Sequence, residues 1–499
     1  MKGQKISTRL KSFIKNITCF ILLVLFMMGS PCQTQEKTEI SLVLEKYVKA
    51  EAEHDLFSGA ILVAKNDEVI YQGAFGYGDK KNQIPNKIDT MFNVGSVGKT
   101  FTGVLIMQLV EKGKIKLADT LDKYLPDFPY PEKRKIQIRH LLNHTSGLGN
   151  YFSHKDYEAK IPYLRKIDDA LKLVYDQKPL FEPGKKFRYS NSGMLVLGAV
   201  IEKVTGKSYR EYLKKQLLDP IGMNDSGIFY PEDDAPHRAI GYSKKGDGGY
   251  TIETKNEFPA FSDGGLYSTV QDMLKYDRAL RENRLLSEET KEIMFTVTPP
   301  AENYGLGWEK LVFKGDEYVG HVGGCPGFAA DYKSFFKDQI MIIVLSNYTD
   351  GAGMVAAKVN HLLFGANEKN IPLATKYDFN FQKGRYLGEV KKDYRASIEY
   401  LDKNISGPDP HLPSLFGAAR SRIFGNIEVE KAIELLRQYL ALNPQASPNT
   451  QAAVWWLTGQ GYEKLNKIQK ARECYRKSLK ISPDFQRAEK SLRQLTDKK

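Results

Sequence analysis

The apolar positions of this chain change period along its length. Between residues 58 and 76 they form two short runs, Ala60-Ile61-Leu62-Val63 and Val69-Ile70-Tyr71, around a turn at Asn66-Asp67. Branched and aromatic residues on either side of a polar pair predict a β-hairpin. A second pair of strands is predicted far downstream, over 328–336 and 339–345, around Lys337-Asp338. Between these pairs the apolar spacing is mostly helical. Residues 101–110 are stopped by Gly113 and 193–204 by Gly206, glycine being the residue that most readily ends a helix in the left-handed conformation. Strands at both ends with helices between predict one antiparallel sheet closed by the two ends of the domain, plus a helical insert. The expectation is an α+β domain over residues 33–378.

The two ends read differently. From about residue 381 helix-friendly segments follow one another with few strand signals. Trp455, Gly459, Tyr462, Ala471, Tyr475, Leu479 and Pro483 match the tetratricopeptide pattern, in which small residues let two helices approach and large ones fill the groove between repeats. Ala432, Leu436 and Pro444 echo Ala471, Tyr475 and Pro483 at 39 residues. That period is longer than the usual repeat of about 34, so residues 445–450 are expected to form an extended turn. A plain helical extension is the alternative for 381–499. At the start, residues 1–32 carry Lys2, Lys5, Arg9, Lys11 and Lys15 but no acid, then an apolar run over 17–28 and Gly29-Ser30-Pro31-Cys32. A basic start, a short apolar stretch and small residues predict an export signal. Cys32 is a candidate lipid-bearing residue, although Pro31 departs from a lipobox, so simple cleavage into the periplasm stays open beside lipid anchoring.

Composition narrows the picture. The 499 residues are 41 % hydrophobic and 27 % charged, which fits a folded chain. Four cysteines and no C-x-x-C pair make neither a disulfide framework nor structural zinc. The net charge of +13 would suit nucleic acid if it lay on one surface. It does not: residues 381–499 hold +9, residues 1–32 hold +5, and 33–380 hold −1. No stacking or groove-reading motif accompanies the charge, so a nucleic-acid partner is not expected. A basic helical tail suits an acidic protein or envelope partner instead.

Three short clusters carry chemistry. Ser96-Val97-Gly98-Lys99 opens an apolar helix. Residues three apart share a helix face, so the serine hydroxyl meets the lysine amine one turn on. The amine can take the hydroxyl proton where burial or a neighbouring cation lowers its pKa, and the helix N-terminus favours a developing oxyanion. The spacing alone is weak, since S-x-x-K recurs at Ser12 and Lys15 and at Ser334 and Lys337. Gly98-Lys99-Thr100 also mimics the end of a phosphate-binding loop, but that loop needs glycine at 93, where the chain has Asn93. The second cluster, Tyr189-Ser190-Asn191, is the one Y-x-N in the sequence. A tyrosine near a lysine can shuttle a proton and an asparagine amide can hold a carbonyl, while a helix cap by Asn191 is the structural alternative. The third, His321-Val322-Gly323-Gly324, falls where a strand should end. His321 could complete a proton network, and the glycines let substrate backbone lie along the strand.

Together with their surroundings these clusters resemble the β-lactamase-related serine hydrolases. The stretches concerned are Phe92-Asn93-Val94-Gly95-Ser96, His144-Thr145-Ser146-Gly147-Leu148, Pro183-Gly184, Tyr189-Ser190-Asn191-Ser192-Gly193, Gly264-Gly265-Leu266-Tyr267-Ser268, Tyr304-Gly305-Leu306-Gly307-Trp308 and Gly320-His321-Val322-Gly323-Gly324. The resemblance covers roughly 40–365. It implies a β-lactamase/transpeptidase-like antiparallel sheet flanked by helices with a helical insert, here followed by the all-α tetratricopeptide-like segment. It also implies Ser96 as the nucleophile of an acyl-enzyme, Lys99 as its proton acceptor and Tyr189 as the shuttle to the leaving group. Asn191, His321, Gly323 and Gly324 would bind substrate, with the N–H groups of Ser96 and Gly324 forming an oxyanion hole. No metal or organic cofactor is implied. His321 stands where many relatives carry the lysine of K-T-G, and a histidine is only partly charged near neutral pH. Carboxylate recognition is thereby weakened, and D-aminopeptidase-like or esterase-like substrates gain ground over β-lactams. His144 and Cys325 read as structural residues. The expected protein is an exported serine hydrolase acting on a small peptide, amide or ester; the alternative is a non-catalytic, sensory module that traps ligand and docks through its tail.

Overall fold

A computed structural model describes residues 38–230, 233, 236–245, 249–253, 261–365, 371–407 and 410–496; the expected export signal over 1–32 lies outside them. The six-stranded antiparallel sheet is built from β1 (Gly59–Lys65), β2 (Glu68–Phe75), β3 (Glu309–Phe313), β4 (Asp316–Cys325), β5 (Phe328–Phe335) and β6 (Ile340–Ser346), in the order β3-β4-β5-β6-β1-β2. Every residue of β5 and β6 is buried, as are all of β1 except Lys65. The apolar runs of β1 and β6 fit strands covered on both faces, whereas β5 buries Asp331, Lys333 and Ser334 among its apolar residues. β6 pairs with β1 from Gly59 opposite Ser346 to Lys65 opposite Ile340. The two ends of the domain thus close one sheet, as the strand pattern predicts.

Alternate residues sort to the two faces. Ala60, Leu62, Met341, Ile343 and Leu345 join the large core shared with the helical insert, each buried aliphatic contributing roughly 1.5–3 kcal/mol over exposure. The central helix of that core, α1 (Gly98–Glu111), is buried from Gly98 to Leu109. A helix apolar on all sides belongs inside a domain, which explains its lack of a polar face. α2 (Asn191–Thr205) ends at Gly206 with φ +69°, the left-handed stop expected from the sequence.

The regular elements described in the tail are all helices, the first of them Asp378–Arg385. Its last four helices are α3 (Val429–Leu442), α4 (Pro448–Lys464), α5 (Ile468–Ile481) and α6 (Gln486–Thr496). The expected small-against-large packing is present: a β-carbon on Gly459 of α4 would stand 2.4 Å from the Tyr475 ring of α5. The tail meets the sheet domain through Lys383, paired with Asp350 at 3.0 Å, and through the Lys244 ammonium 4.9 Å from the Phe379 ring centre.

Candidate active site

Ser96 lies in a single 3-10 turn, Gly95–Val97, that runs straight into α1. The turn is fixed by chemistry just before it. Asn93 Oδ1 accepts the Gly95 N–H at 2.8 Å, and Gly95 sits at φ +53°, where a side chain is strained. A β-carbon on Gly95 would come 2.6 Å from the Gly324 nitrogen, and one on Gly323 would come 2.0 Å from the Val94 carbonyl oxygen. The end of β4 therefore lies against the Ser96 turn, backbone to backbone, as only glycines permit. Gly324 itself faces open space. This brings the N–H groups of Ser96 and Gly324 to the same small region, the arrangement an oxyanion hole requires.

Lys99, one turn on, is fully buried; its ammonium donates to Ser96 Oγ at 2.7 Å and to the Asp263 main-chain carbonyl. Burial lowers its pKa to about 8, although the carboxylates of Asp263 and Glu309 pull the other way. The free amine is thus accessible near neutral pH, as a proton acceptor must be. Tyr189 completes the group, its ring centre 5.0 Å from Lys99 Nζ. Burial pushes the phenol up, and the neighbouring Ser96 hydroxyl acts in the opposite sense. Ser190 caps α2 by accepting the Gly193 N–H at 2.9 Å, so the cap is Ser190 and not Asn191. Asn191 is the first helical residue and is buried.

The cluster from His321 to Gly324 falls at the end of β4, which stops at Cys325, as expected. His321 departs from expectation in its charge: it is neutral rather than partly charged, because burial and nearby Lys99 push its pKa down to about 3. Both ring nitrogens are engaged. Nδ1–H donates to the Val322 carbonyl at 2.6 Å, and Nε2 accepts the Tyr304 hydroxyl at 2.8 Å. His321 therefore shapes the wall of the site through Tyr304 and offers substrate neither a cation nor a free donor. His144, at φ +60°, accepts the Ser190 N–H at 3.3 Å and packs against the Tyr189 and Tyr304 rings, each 4.4 Å away, in keeping with a structural residue. Cys325 is packed against the core, and burial raises its thiol to about 12, which leaves it unreactive.

Two carboxylates near the site carry no signal in the motifs. Asp263 is fully buried and accepts the Tyr151 hydroxyl at 3.0 Å, its pKa raised to about 6 by burial. Glu309, at the start of β3 opposite Gly320, accepts the Val322 N–H and is raised to about 7 by burial. Each stands directly beside a quoted stretch, Asp263 before Gly264-Gly265-Leu266 and Glu309 after Gly307-Trp308. Proximity to those stretches was the one available hint.

Comparison with known proteins agrees with this geometry. Residues 44–365 match the family described as Beta-lactamase, and residues 452–494 match the Tetratricopeptide repeat. Penicillin-binding protein 4* of Bacillus subtilis (strain 168) is 31 % identical, covering 62 % of this chain and 73 % of the relative. Teichoic acid D-alanine hydrolase of Staphylococcus aureus is 28 % identical, covering 67 % of this chain and 79 % of that protein. The crystal structure of a penicillin binding protein from Bacillus halodurans superimposes with a TM-score of 0.59 at 29 % identity, covering 66 % of this chain and all of that one. With a Ser-Lys-Tyr constellation seated on this sheet, the chain belongs to the beta-lactamase family and is a serine hydrolase of the β-lactamase-related type, extended by a helical tetratricopeptide tail.

Proposed function

We propose that this hydrolase works outside the cytoplasm, cleaving an amide or ester of a peptidoglycan-derived or D-amino-acid peptide through an acyl-Ser96 intermediate. The observation that carries this reading is the shared Lys99 ammonium, hydrogen-bonded to Ser96 Oγ at 2.7 Å in a buried site that lowers its pKa to about 8. In the proposed course Lys99 takes the Ser96 proton as Oγ attacks the carbonyl carbon. The Ser96 and Gly324 N–H groups hold the oxyanion, Tyr189 passes a proton to the departing group, and Asn191 orients the substrate carbonyl. Water then releases the acyl group by the same route in reverse. The neutral His321 supports a substrate that needs no cation at this position, hence one unlike a β-lactam. A relative named for D-alanine hydrolysis supports the substrate class. The basic apolar start of the chain supports export, with lipid attachment at Cys32 as one form of it.

Labelling tests the reaction. A fluorophosphonate or fluorescent penicillin should give a mass adduct on the wild type and none on Ser96→Ala. No Ser96-dependent adduct, with no burst on ester substrates, would mean a non-catalytic binding module. For the tail we propose an acidic protein or envelope partner, supported by a groove containing Arg437, Trp455, Tyr462, Lys470 and Lys477. Binding indifferent to salt would count against that partner.

A further inference from the structure

The sheet domain and the tail enclose a cavity of about 470 Å³ that the acyl-transfer course does not use. On one side stand Tyr348 and Met354, on the other Phe379, Gln382 and Lys383 of the tail's first helix, with Tyr386 just beyond it. The volume lies within the range of small-molecule sites, roughly 300–1,000 Å³. The cavity sits at the end of the sheet that carries Gly324. Gly324 pairs with Ala329, and Ala329 with Ser346, so the three form one row across β4, β5 and β6. Two strand spacings, about 10 Å, separate the first from the last. Thr349, just beyond Ser346, lines the cavity, and its hydroxyl accepts the N–H of Gly327 in the β4–β5 turn at 2.8 Å.

What the cavity can hold follows from which of its groups are already engaged. Glu51 is buried and paired with Lys358 at 2.5 Å. Asp55 accepts the Tyr348 hydroxyl at 2.7 Å, the Tyr250 hydroxyl, and the Lys244 ammonium at 3.1 Å. Lys244 also donates to the Asp55 carbonyl at 2.9 Å and rests against the Phe379 ring. Lys383 holds Asp350 at 3.0 Å. Each charge on the lining thus has an opposite charge of its own. A charged ligand would give up water here and gain no unpaired partner.

The groups left over are of another kind. Among the described residues the Gln382 amide and the Tyr386 hydroxyl make no hydrogen bond within the protein. Tyr386 is 45 % exposed and Met354 39 %. The free surface is therefore aromatic and thioether faces edged by a neutral amide and a hydroxyl. Lys383 and Asp350 add to that edge, because one mutual contact uses up the hydrogen-bonding capacity of neither. An alkyl ligand would bury the amide unpartnered, at a cost. A sugar ring fits better, since its C–H face is apolar and its rim is made of hydroxyls.

We propose that this cavity is a saccharide site, which takes an uncharged sugar of one or two rings. The ring face stacks on Tyr386 and Phe379, and its hydroxyls meet Gln382, Lys383 and Asp350. The site goes beyond the hydrolase reading and does not need it. Where that reading holds, a glycan seated in the cavity brings its attached acyl group to the same end of the sheet as Ser96.

Calorimetric titration of the full-length chain tests this, with cellobiose and N,N′-diacetylchitobiose as uncharged disaccharides and hexan-1-ol as the apolar probe. At least one disaccharide should bind, and more tightly than the alcohol. Tyr386→Ala and Gln382→Ala should each weaken binding by about 3- to 10-fold. Met354→Trp, which fills the cavity without removing a hydrogen bond, should abolish it in a chain whose helical circular dichroism is that of the wild type. The Tyr386 and Gln382 substitutions decide the matter alone where Met354→Trp does not fold. Failure of both disaccharides to bind, or preference for the alcohol, overturns the proposal. Binding that survives these substitutions but is lost in Trp455→Ala would put the sugar in the tail groove. Binding lost once Ser96 carries a fluorophosphonate would put it in the catalytic cleft. Either result overturns the seam site, whereas the hydrolase reading is judged on Ser96 labelling and ester turnover alone.

Discussion

Burial and two carboxylates act on the Lys99 amine in opposite senses, and in the proposed course their balance sets the pH at which Ser96 is activated. Burial is the larger influence and takes the amine to about 8. The reactive form is the neutral one, so kcat/KM for a neutral ester should rise with pH through a midpoint near 8 and then level off. Glu309 titrates nearby, at about 7, and the two groups feel one another, so the rising limb belongs to both. Glu309→Gln removes a carboxylate that favours the ammonium. Its limb should therefore move to lower pH, with the plateau little changed. A stopped-flow profile from pH 6 to 10 checks this, and a flat or falling profile would exclude Lys99 as the acceptor. At this scale the sequence was legible where chemistry is local: Ser96 and Lys99 lie on one helical turn, and Tyr189 announces itself by a pattern found once. Asp263 and Glu309 were not legible, because a carboxylate's part depends on what the distant chain buries around it. His321 was legible in place but not in state, since its neutrality comes from Tyr304, the Val322 carbonyl and Lys99 together.

Elements meet in this site through backbone rather than through side chains. The end of β4 is pressed on the Ser96 turn, with no room for a β-carbon on Gly323 but ample room on Gly324. The two adjacent glycines should therefore answer differently to alanine. Gly323→Ala sets a methyl against the Val94 carbonyl, so the strand must shift away from the turn, costing about 1–3 kcal/mol and drawing the Gly324 N–H away from the oxyanion. Loss of one such donor costs on the order of 10²–10³ in kcat. Gly324→Ala meets nothing and should leave thermal stability within about 0.5 kcal/mol of wild type, so that any loss of rate there reflects crowding of bound substrate. Thermal melts and kcat on one ester give both numbers, and equal destabilisation by the two substitutions would contradict the packing described here. The strands themselves were readable from apolar runs bounded by polar turns. The partner of β4's last residues was not, because Val322-Gly323-Gly324 has the composition of a loop and is held extended only through pairing with Asp331, Ala330 and Ala329 of β5.

Across the whole molecule the charge of +13 divides into a near-neutral hydrolase, with −1 over 33–380, and a tail of +9. The same division holds in packing. The sheet and the helical insert share one core, while Leu415, Ala418, Leu436 and Leu457 belong to a separate core in the tail. Two cores joined through contacts such as the Lys383–Asp350 pair and Lys244 over the Phe379 ring should respond separately to damage. The change of apolar period near residue 381 led to the expectation of a helical tail, and its repeat was visible as small and large residues at fixed offsets. What the tail touches was not visible, because the Lys383–Asp350 pair joins residues of ordinary surface character. Gly459 provides the test, since it lies deep between α4 and α5, where a β-carbon would stand 2.4 Å from the Tyr475 ring. Gly459→Val in the full-length chain forces that ring, itself fully buried, out of its groove. Overpacking of this kind costs about 1–3 kcal/mol, and a repeat that contacts only its neighbours has little else to absorb it. The expected result is a lower-temperature melting step in helical circular dichroism, with kcat and KM on a small ester unchanged within about twofold. If turnover fell in step with the tail's helicity, the repeat would be a working part of the active site, and the separation of the two cores would not hold.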